Sequence, residues 1–353
     1  MIRAPGPALV MGAGAVGCWV GGRLQDAGVP VQFVGRPSVL QELRLLGLTL
    51  TDLDDRRTHL PPESLQLHAE VPEAGRSSGE GSGGASGGGS GGSPPALVLL
   101  CVKSGSTAEA AALLGLHLPA GTPVLSLQNG IGNPAIAAAA APALLVIPGM
   151  VGFNVVRASP GHWHRGTWGE LAAQAHAALQ DWLPAFAAAG LPLALHADLR
   201  PVQWGKLLLN LNNPVNALSG LPLKRQLLDR DLRIVMAALI DEALAALAAH
   251  GIEPAQVAAL PPRRMPTGLR LPTWLFRIAA RASLRMDDQA RTSMAEDVAR
   301  GRPTEIDALC GEVVRLAHAA GQRAPCNEWM LARLSRPSPG QMSGREMRAA
   351  LGL

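Results

Sequence analysis

The run Gly12-Ala13-Gly14-Ala15-Val16-Gly17 constrains the fold of this chain more than any other feature. It follows Ala8 to Met11, which reads as a β-strand, and it opens a helical pattern. A Gly-x-Gly-x-x-Gly turn between a strand and a helix is the start of a βαβ unit. Gly12 allows the tight turn, and Gly14 lets a pyrophosphate approach the backbone. Gly17 lets helix and strand pack closely, and the helix N-terminus supplies amide donors. The alternative is a glycine-rich turn that binds nothing.

The rest of the chain extends this pattern and then abandons it. Val31 to Gly35, Ala96 to Lys103, Pro123 to Gln128 and Leu144 to Ile147 read as further strands, separated by alanine-rich helices. Continuous apolar strands alternating with helices indicate a parallel sheet covered on both faces. From about Pro201 the strand signals stop. Helical patterns cover Val202 to Leu211, Leu227 to His250, Arg281 to Arg300 and Thr304 to Ala320. The expected architecture is an α/β Rossmann-type parallel-sheet domain over 1–196, then an all-α domain over 197–353. Gly75 to Ser93 holds ten Gly and six Ser in 19 residues. Such a segment has almost no apolar surface to bury and reads as a disordered loop expansion. Deleting it is expected to leave activity and melting temperature nearly unchanged.

Composition narrows the function classes. The chain has 353 residues, 48% hydrophobic and 16% charged, which is a core-forming balance. The net charge of +4 is small and scattered, which argues against a nucleic-acid surface. The four cysteines Cys18, Cys101, Cys310 and Cys326 are far apart, with neither disulfide nor zinc spacing. A reducing cytoplasm is the expected compartment, with no metal. No apolar run reaches the ~18 residues of a membrane span. Among 31 basic residues only three are lysine: Lys103, Lys206 and Lys224. A lysine kept in so arginine-rich a chain points to a place where a compact ammonium of adjustable pKa is needed, or to chance.

Several residues carry candidate chemistry. Arg36, just past the second strand, suits a 2′-phosphate, where an NAD site places an acid; a surface arginine is the alternative. Lys103 and Asn129 end strands at the carboxyl edge, where ligands bind in such sheets. Either could instead be a turn-forming polar residue. The chain has eight Asn, and Asn210, Asn212, Asn213 and Asn216 lie within seven residues. On one helix Lys206, Asn210 and Asn213 would fall within about 60° of one another. Capping where Pro214 disrupts the helix would explain Asn212 and Asn213, but hardly Lys206 and Asn210. Glu305 sits in what reads as the first turn of a helix, where acids are favoured on dipole grounds alone.

Taken together, GAGAVG at 12–17, VKS at 102–104, QNGIG at 128–132, WGKLLLNLNNPVNALSG at 204–220 and SMAEDVARGRPTEID at 293–307 resemble the ketopantoate reductases. The resemblance implies reduction of 2-dehydropantoate to (R)-pantoate with NADPH, on the way to pantothenate and coenzyme A. It implies that Gly12 to Gly17, Arg36 and Lys103 hold NADPH, and that Asn129 lies where nicotinamide meets substrate. Lys206 would be the proton donor, with Glu305 beside it and the cofactor. Asn129, Lys206, Asn210, Asn213 and Ser293 would bind a small 2-oxo acid. Lys224 receives no role. No nucleic-acid or membrane partner is implied, and a homodimer is an option. Two rivals remain at this point: an NADP-dependent dehydrogenase of the same architecture for another 2-oxo or 2-hydroxy acid, and a non-catalytic NADP-binding sensor.

Overall fold

The computed structural model describes residues 4–72, 93–281, 284, 288–336 and 339–353. Apart from Ser93, the Gly75–Ser93 segment lies outside them. The chain divides into two compact units, Met1–Gln128 with Asn133–Leu199, and Asn129–Gly132 with Arg200–Leu353.

The first unit contains strands β1 (Ala8–Met11), β2 (Val31–Val34), β3 (Leu48–Thr51), β4 (Arg57–Leu60), β5 (Gln66–His68), β6 (Leu97–Leu100), β7 (Pro123–Ser126), β8 (Leu145–Val151), β9 (Val155–Ser159), β10 (His162–Arg165), β11 (Leu171–Gln174) and β12 (Leu193–His196). Its helices are α1 (Ala15–Asp26), α2 (Pro37–Leu46), α3 (Thr107–His117), α4 (Asn133–Ala140) and α5 (Leu183–Ala188). The main sheet runs β12-β11-β8-β7-β6-β1-β2-β5. β1 pairs in parallel with β2 and β6, and the parallel ladder extends to β5, β7 and β8. Successive strand residues face opposite sides. Ala8 and Val10 enter one core with Trp19, Phe33 and Trp182, while Leu9 and Met11 enter another with Ala110, Leu114 and Ala137. Both faces are therefore covered, which is why these strands are apolar throughout.

Three features of this unit differ from the sequence-based expectation. β8 and β11 pair antiparallel, with Leu171 opposite Val151. A second, four-stranded sheet runs β4-β3-β10-β9. The strand expected over Ala96 to Lys103 ends at Leu100, because the Gly12 turn presses against Cys101 and Val102 just beyond it.

The second unit is helical: α6 (Arg200–Asn210), α7 (Asn212–Ser219), α8 (Leu223–Leu228), α9 (Arg230–Ala249), α10 (Met265–Arg270), α11 (Thr273–Ala279), α12 (Ser293–Ala299), α13 (Glu312–Ala319), α14 (Pro325–Leu334) and α15 (Gly344–Leu351). α9 is its axis and buries Leu232, Val235, Met236, Leu239, Ile240 and Ala243 at helical spacing. Asp229 caps it, its carboxylate accepting from the amides of Asp231 (2.8 Å) and Leu232 (3.2 Å). Among the described residues, the helix expected over Arg281 to Arg300 is confined to Ser293–Ala299, where Thr292 caps the start. The helix expected from Thr304 begins instead with a π-helical turn, Asp307–Gly311, which leads into α13. Among the described residues no helix is long and apolar enough to cross a membrane.

Candidate active site

In the first unit the chain leaves β1 toward β2 on one side and returns to β6 on the other. The carboxyl ends of β1 and β6 are thus a topological switch point, where sheets of this kind bind ligands. Gly12 and Ala13 donate their amides to Val34 O (3.0 and 2.9 Å), which hangs the turn on the end of β2. Gly12 has φ +110, and a Cβ there would lie 2.7 Å from Val102 N. A Cβ at Gly17 would lie 2.2 Å from Gly12 O. The fold therefore demands glycine at both positions. It makes no such demand at Gly14, where a Cβ would meet nothing within 4 Å. Gly14 faces open space, and as the N-cap of α1 it leaves that helix without a side-chain cap. First-turn amides facing an open cradle suit an anionic group.

The neighbouring residues have distinct places. Ala13 is buried against Gly35, whereas Ala15 and Val16 are half-buried against the core. Arg36 is exposed two residues past β2, and its side chain caps nothing. Lys103 is exposed past β6, immediately before a short 3-10 turn. A buried network missed from sequence ties the loops after β6 and β7 together. Gln128 donates to Val102 O (3.0 Å) and Thr107 Oγ1 (2.7 Å), Thr107 donates to Asn133 (3.0 Å), and Asn133 donates to Ser104 (3.1 Å). Its one sequence signal is the clustering of uncharged polar residues at two strand ends.

The second unit assembles a different chemistry. Lys206 Nζ donates to Asn129 Oδ1 (3.2 Å), and Asn129 Nδ2 donates to Glu305 Oε2 (3.3 Å). An ammonium only donates and a carboxylate only accepts, so the amide between them has one workable orientation. Burial pushes the Lys206 ammonium down from its usual range to about 8, and the Glu305 charge acts against this. The balance leaves a lysine that is protonated at neutral pH yet gives up its proton readily.

Asn129, Asn213, Ser293 and Glu305 line one small cavity with Met294, Asp297 and Leu309. Lys206 joins this group through Asn129. Asn210 is not brought into it: it ends α6, and the chain bends at Leu211 before α7. Pro214 is the cause, since it lacks the amide that would bond Asn210 O and its ring crowds that carbonyl. The expected grouping of Lys206, Asn210 and Asn213 on one continuous helix is corrected accordingly.

The asparagine cluster divides by role. Asn216 is fully buried, donating to Leu221 O (2.9 Å) and Gln226 Oε1 (3.0 Å). Its Oδ1 accepts from Thr292 N (3.0 Å) and Thr292 Oγ1 (3.1 Å). Gln226 donates in turn to Asn212. This network fixes the start of α12, and with it Ser293. Lys224 forms an ion pair with Asp288 (2.6 Å), clipping α8 to the segment before α12.

Comparison with known proteins identifies the family. A family model described as ketopantoate reductase PanE/ApbA matches residues 8–178, and its C-terminal counterpart matches 198–337. The 2-dehydropantoate 2-reductase of Halobacterium salinarum is 26% identical, over 88% of this chain and 91% of its own. The crystal structure of a PanE/ApbA family ketopantoate reductase from Ralstonia eutropha JMP134 superposes with a TM-score of 0.73 at 28% identity, covering 98% of this chain and 100% of that one. D-mandelate dehydrogenase bound to NADH and anilino(oxo)acetate shares the fold, with a TM-score of 0.69 at 17% identity over 98% and 100% of the two chains. With both of its units matched in order by models of one family, this chain belongs to the ketopantoate reductases, a family of oxidoreductases.

Proposed function

We propose that the protein is an NADPH-dependent 2-dehydropantoate 2-reductase that forms (R)-pantoate in the cytoplasm, on the way to pantothenate and coenzyme A. The observation that carries this reading is the Lys206–Asn129–Glu305 bridge beside a cavity lined by Asn213 and Ser293. NADPH, when bound, supplies the hydride that reduces the ketone. The open face of Gly14 and the uncapped first turn of α1 fit its pyrophosphate. Gly12, Ala13, Gly14, Ala15, Val16 and Gly17 would form that cradle, and Arg36 and Lys103 would hold the rest of the cofactor, Arg36 supplying the charge for a 2′-phosphate.

The remaining chemistry belongs to side chains of the second unit. As the ketone oxygen gains negative charge, Lys206 Nζ stabilises it and donates a proton to it. Asn129 orients that ammonium, and the Glu305 charge keeps it protonated. Asn213 and Ser293 offer uncharged hydrogen bonds to the carboxylate and hydroxyl of the substrate.

The test is to incubate the protein with NADPH and a panel of 2-oxo acids, including 2-dehydropantoate and benzoylformate, and to follow loss of nicotinamide absorbance. Turnover of 2-dehydropantoate above all others is expected. Preference for benzoylformate would sink the substrate assignment, and binding of NADPH with no turnover would favour a sensor.

Cofactor choice has its own test. Arg36→Asp is expected to raise KM for NADPH about 10–100-fold, the worth of a charge-assisted contact to phosphate, while KM for NADH changes little. Equal use of both cofactors by the unaltered protein would remove Arg36 from the site.

A further inference from the structure

The QNGIG motif contributes more than the side chain of Asn129, because each residue of 129–132 is held by the helical unit to which it belongs. Gly130 has φ +87, and a Cβ there would lie 2.8 Å from both Cβ and O of Ala308. Ile131 packs against the helical core. Gly132 donates its amide to Glu312 Oε1 at 2.8 Å, and a Cβ at 132 would come within 2.6 Å of that same oxygen. Glu312 is braced by Arg315 (3.3 Å), which also binds Asp307 (2.9 Å). One stretch of chain therefore grips the tetrapeptide three times. Glu305 takes the Asn129 side chain, Ala308 of the π-helical turn abuts Gly130, and Glu312 takes the Gly132 amide. A π-helical turn in the middle of such a grip is a common mark of a functional site.

We infer that Glu312 is a positioning residue: its carboxylate, through the Gly132 amide, holds Asn129 between Lys206 and Glu305. An amide spanning two partners at hydrogen-bond distance loses both when its backbone drifts by about an ångström. The helix is already under way at Asp307–Gly311, so Glu312 does not sit at a free N-terminus where the dipole alone would favour an acid. The inference rests on the reading of Lys206 as proton donor for its consequence in catalysis, though not for the placement of Asn129.

The lysine-poor composition makes a direct test practicable. With lysine labelled at Cε with carbon-13, the spectrum holds three side-chain signals, from Lys103, Lys206 and Lys224. The Lys206 signal is identified by its loss in Lys206→Arg. In Glu312→Ala and Gly132→Ala its titration midpoint is expected to fall by about half a pH unit or more, because Asn129 Oδ1 no longer accepts from the ammonium. Glu312→Gln keeps an acceptor oxygen and is expected to titrate as the unaltered protein does, while Lys224 stays fixed in every variant. In the reductase assay kcat of Glu312→Ala is expected to fall about tenfold, with KM for NADPH unchanged and Glu312→Gln largely restored. An unmoved Lys206 midpoint in Glu312→Ala overturns the inference, and so does Glu312→Gln behaving like Glu312→Ala. If the midpoint shifts but no 2-oxo acid is turned over, the positioning role stands and the proposed reaction falls.

Discussion

Lys206→Arg and Lys206→Ala are both expected to lose about 10²–10⁴-fold in kcat, the usual contribution of a positioned general acid. Arginine preserves the charge, so a purely electrostatic role would let it substitute. Its guanidinium stays protonated above pH ~12 and is broad and planar, so it donates a proton poorly and fits the Asn129 oxygen differently. NADPH binding should survive in both variants, as judged by fluorescence titration, because the proposed cofactor cradle is built from other residues. Lys224→Arg is the control: Lys224 sits in an exposed ion pair with Asp288, which arginine can also make. The pH dependence follows with a definite sign. Burial holds Lys206 near 8 and reduction needs its protonated form, so kcat should be flat through neutral pH and fall as pH rises past about 8. Retention of most kcat by Lys206→Arg, with loss in Lys224→Arg, would remove Lys206 from the reaction.

How legible each part was in the sequence depends on how far its cause lies along the chain. Strands such as Leu97–Leu100 announce themselves because they are buried on both faces, and the glycine turn because it sits directly after one of them. The smaller sheet has no such signature. Arg57–Leu60 and His162–Arg165 are short and carry histidine and arginine, and His162 lies opposite Thr49, far away in sequence. Within the candidate site, residue type and motif singled out Lys206, Asn129, Asn213, Ser293 and Glu305. The bridge through Asn129 was not readable, because it joins residues separated by 77 and 176 positions. Glu312 carried no signal at all: the helical pattern over Thr304 to Ala320 places it in mid-helix, where one glutamate looks like any other. The asparagines posed the opposite problem. Four similar residues in seven positions drew attention as a group, and only tertiary contacts separate those facing the cavity from those holding the frame.

Asn216 belongs to the frame, and its loss should be felt in both stability and substrate binding. Asn216→Ala removes an amide that makes four hydrogen bonds in a fully buried position. It strands the Leu221 carbonyl, the Gln226 side chain and the Thr292 amide. Each buried group left unmet costs about 1–3 kcal/mol, and relaxation recovers part, so a loss of about 3–4 kcal/mol is expected. For a unit of this size that corresponds to a fall in melting temperature of roughly 6–16 °C. The functional effect should be selective. The Thr292 hydroxyl donates to Asn216 Oδ1 while accepting from the Ala295 amide, so it connects the frame to the first turn of α12. Ser293 follows immediately and lines the cavity. At a temperature where the variant remains folded, KM for the 2-oxo acid should rise while KM for NADPH stays constant. Asn216→Asp keeps the oxygen that Thr292 needs but loses the donors to Leu221 and Gln226 and buries a charge. It should therefore destabilise at least as much as alanine while disturbing KM less. Equal KM effects from the two variants would mean that the start of α12 is held by packing, and that the Asn216–Thr292 bonds do not set the position of Ser293.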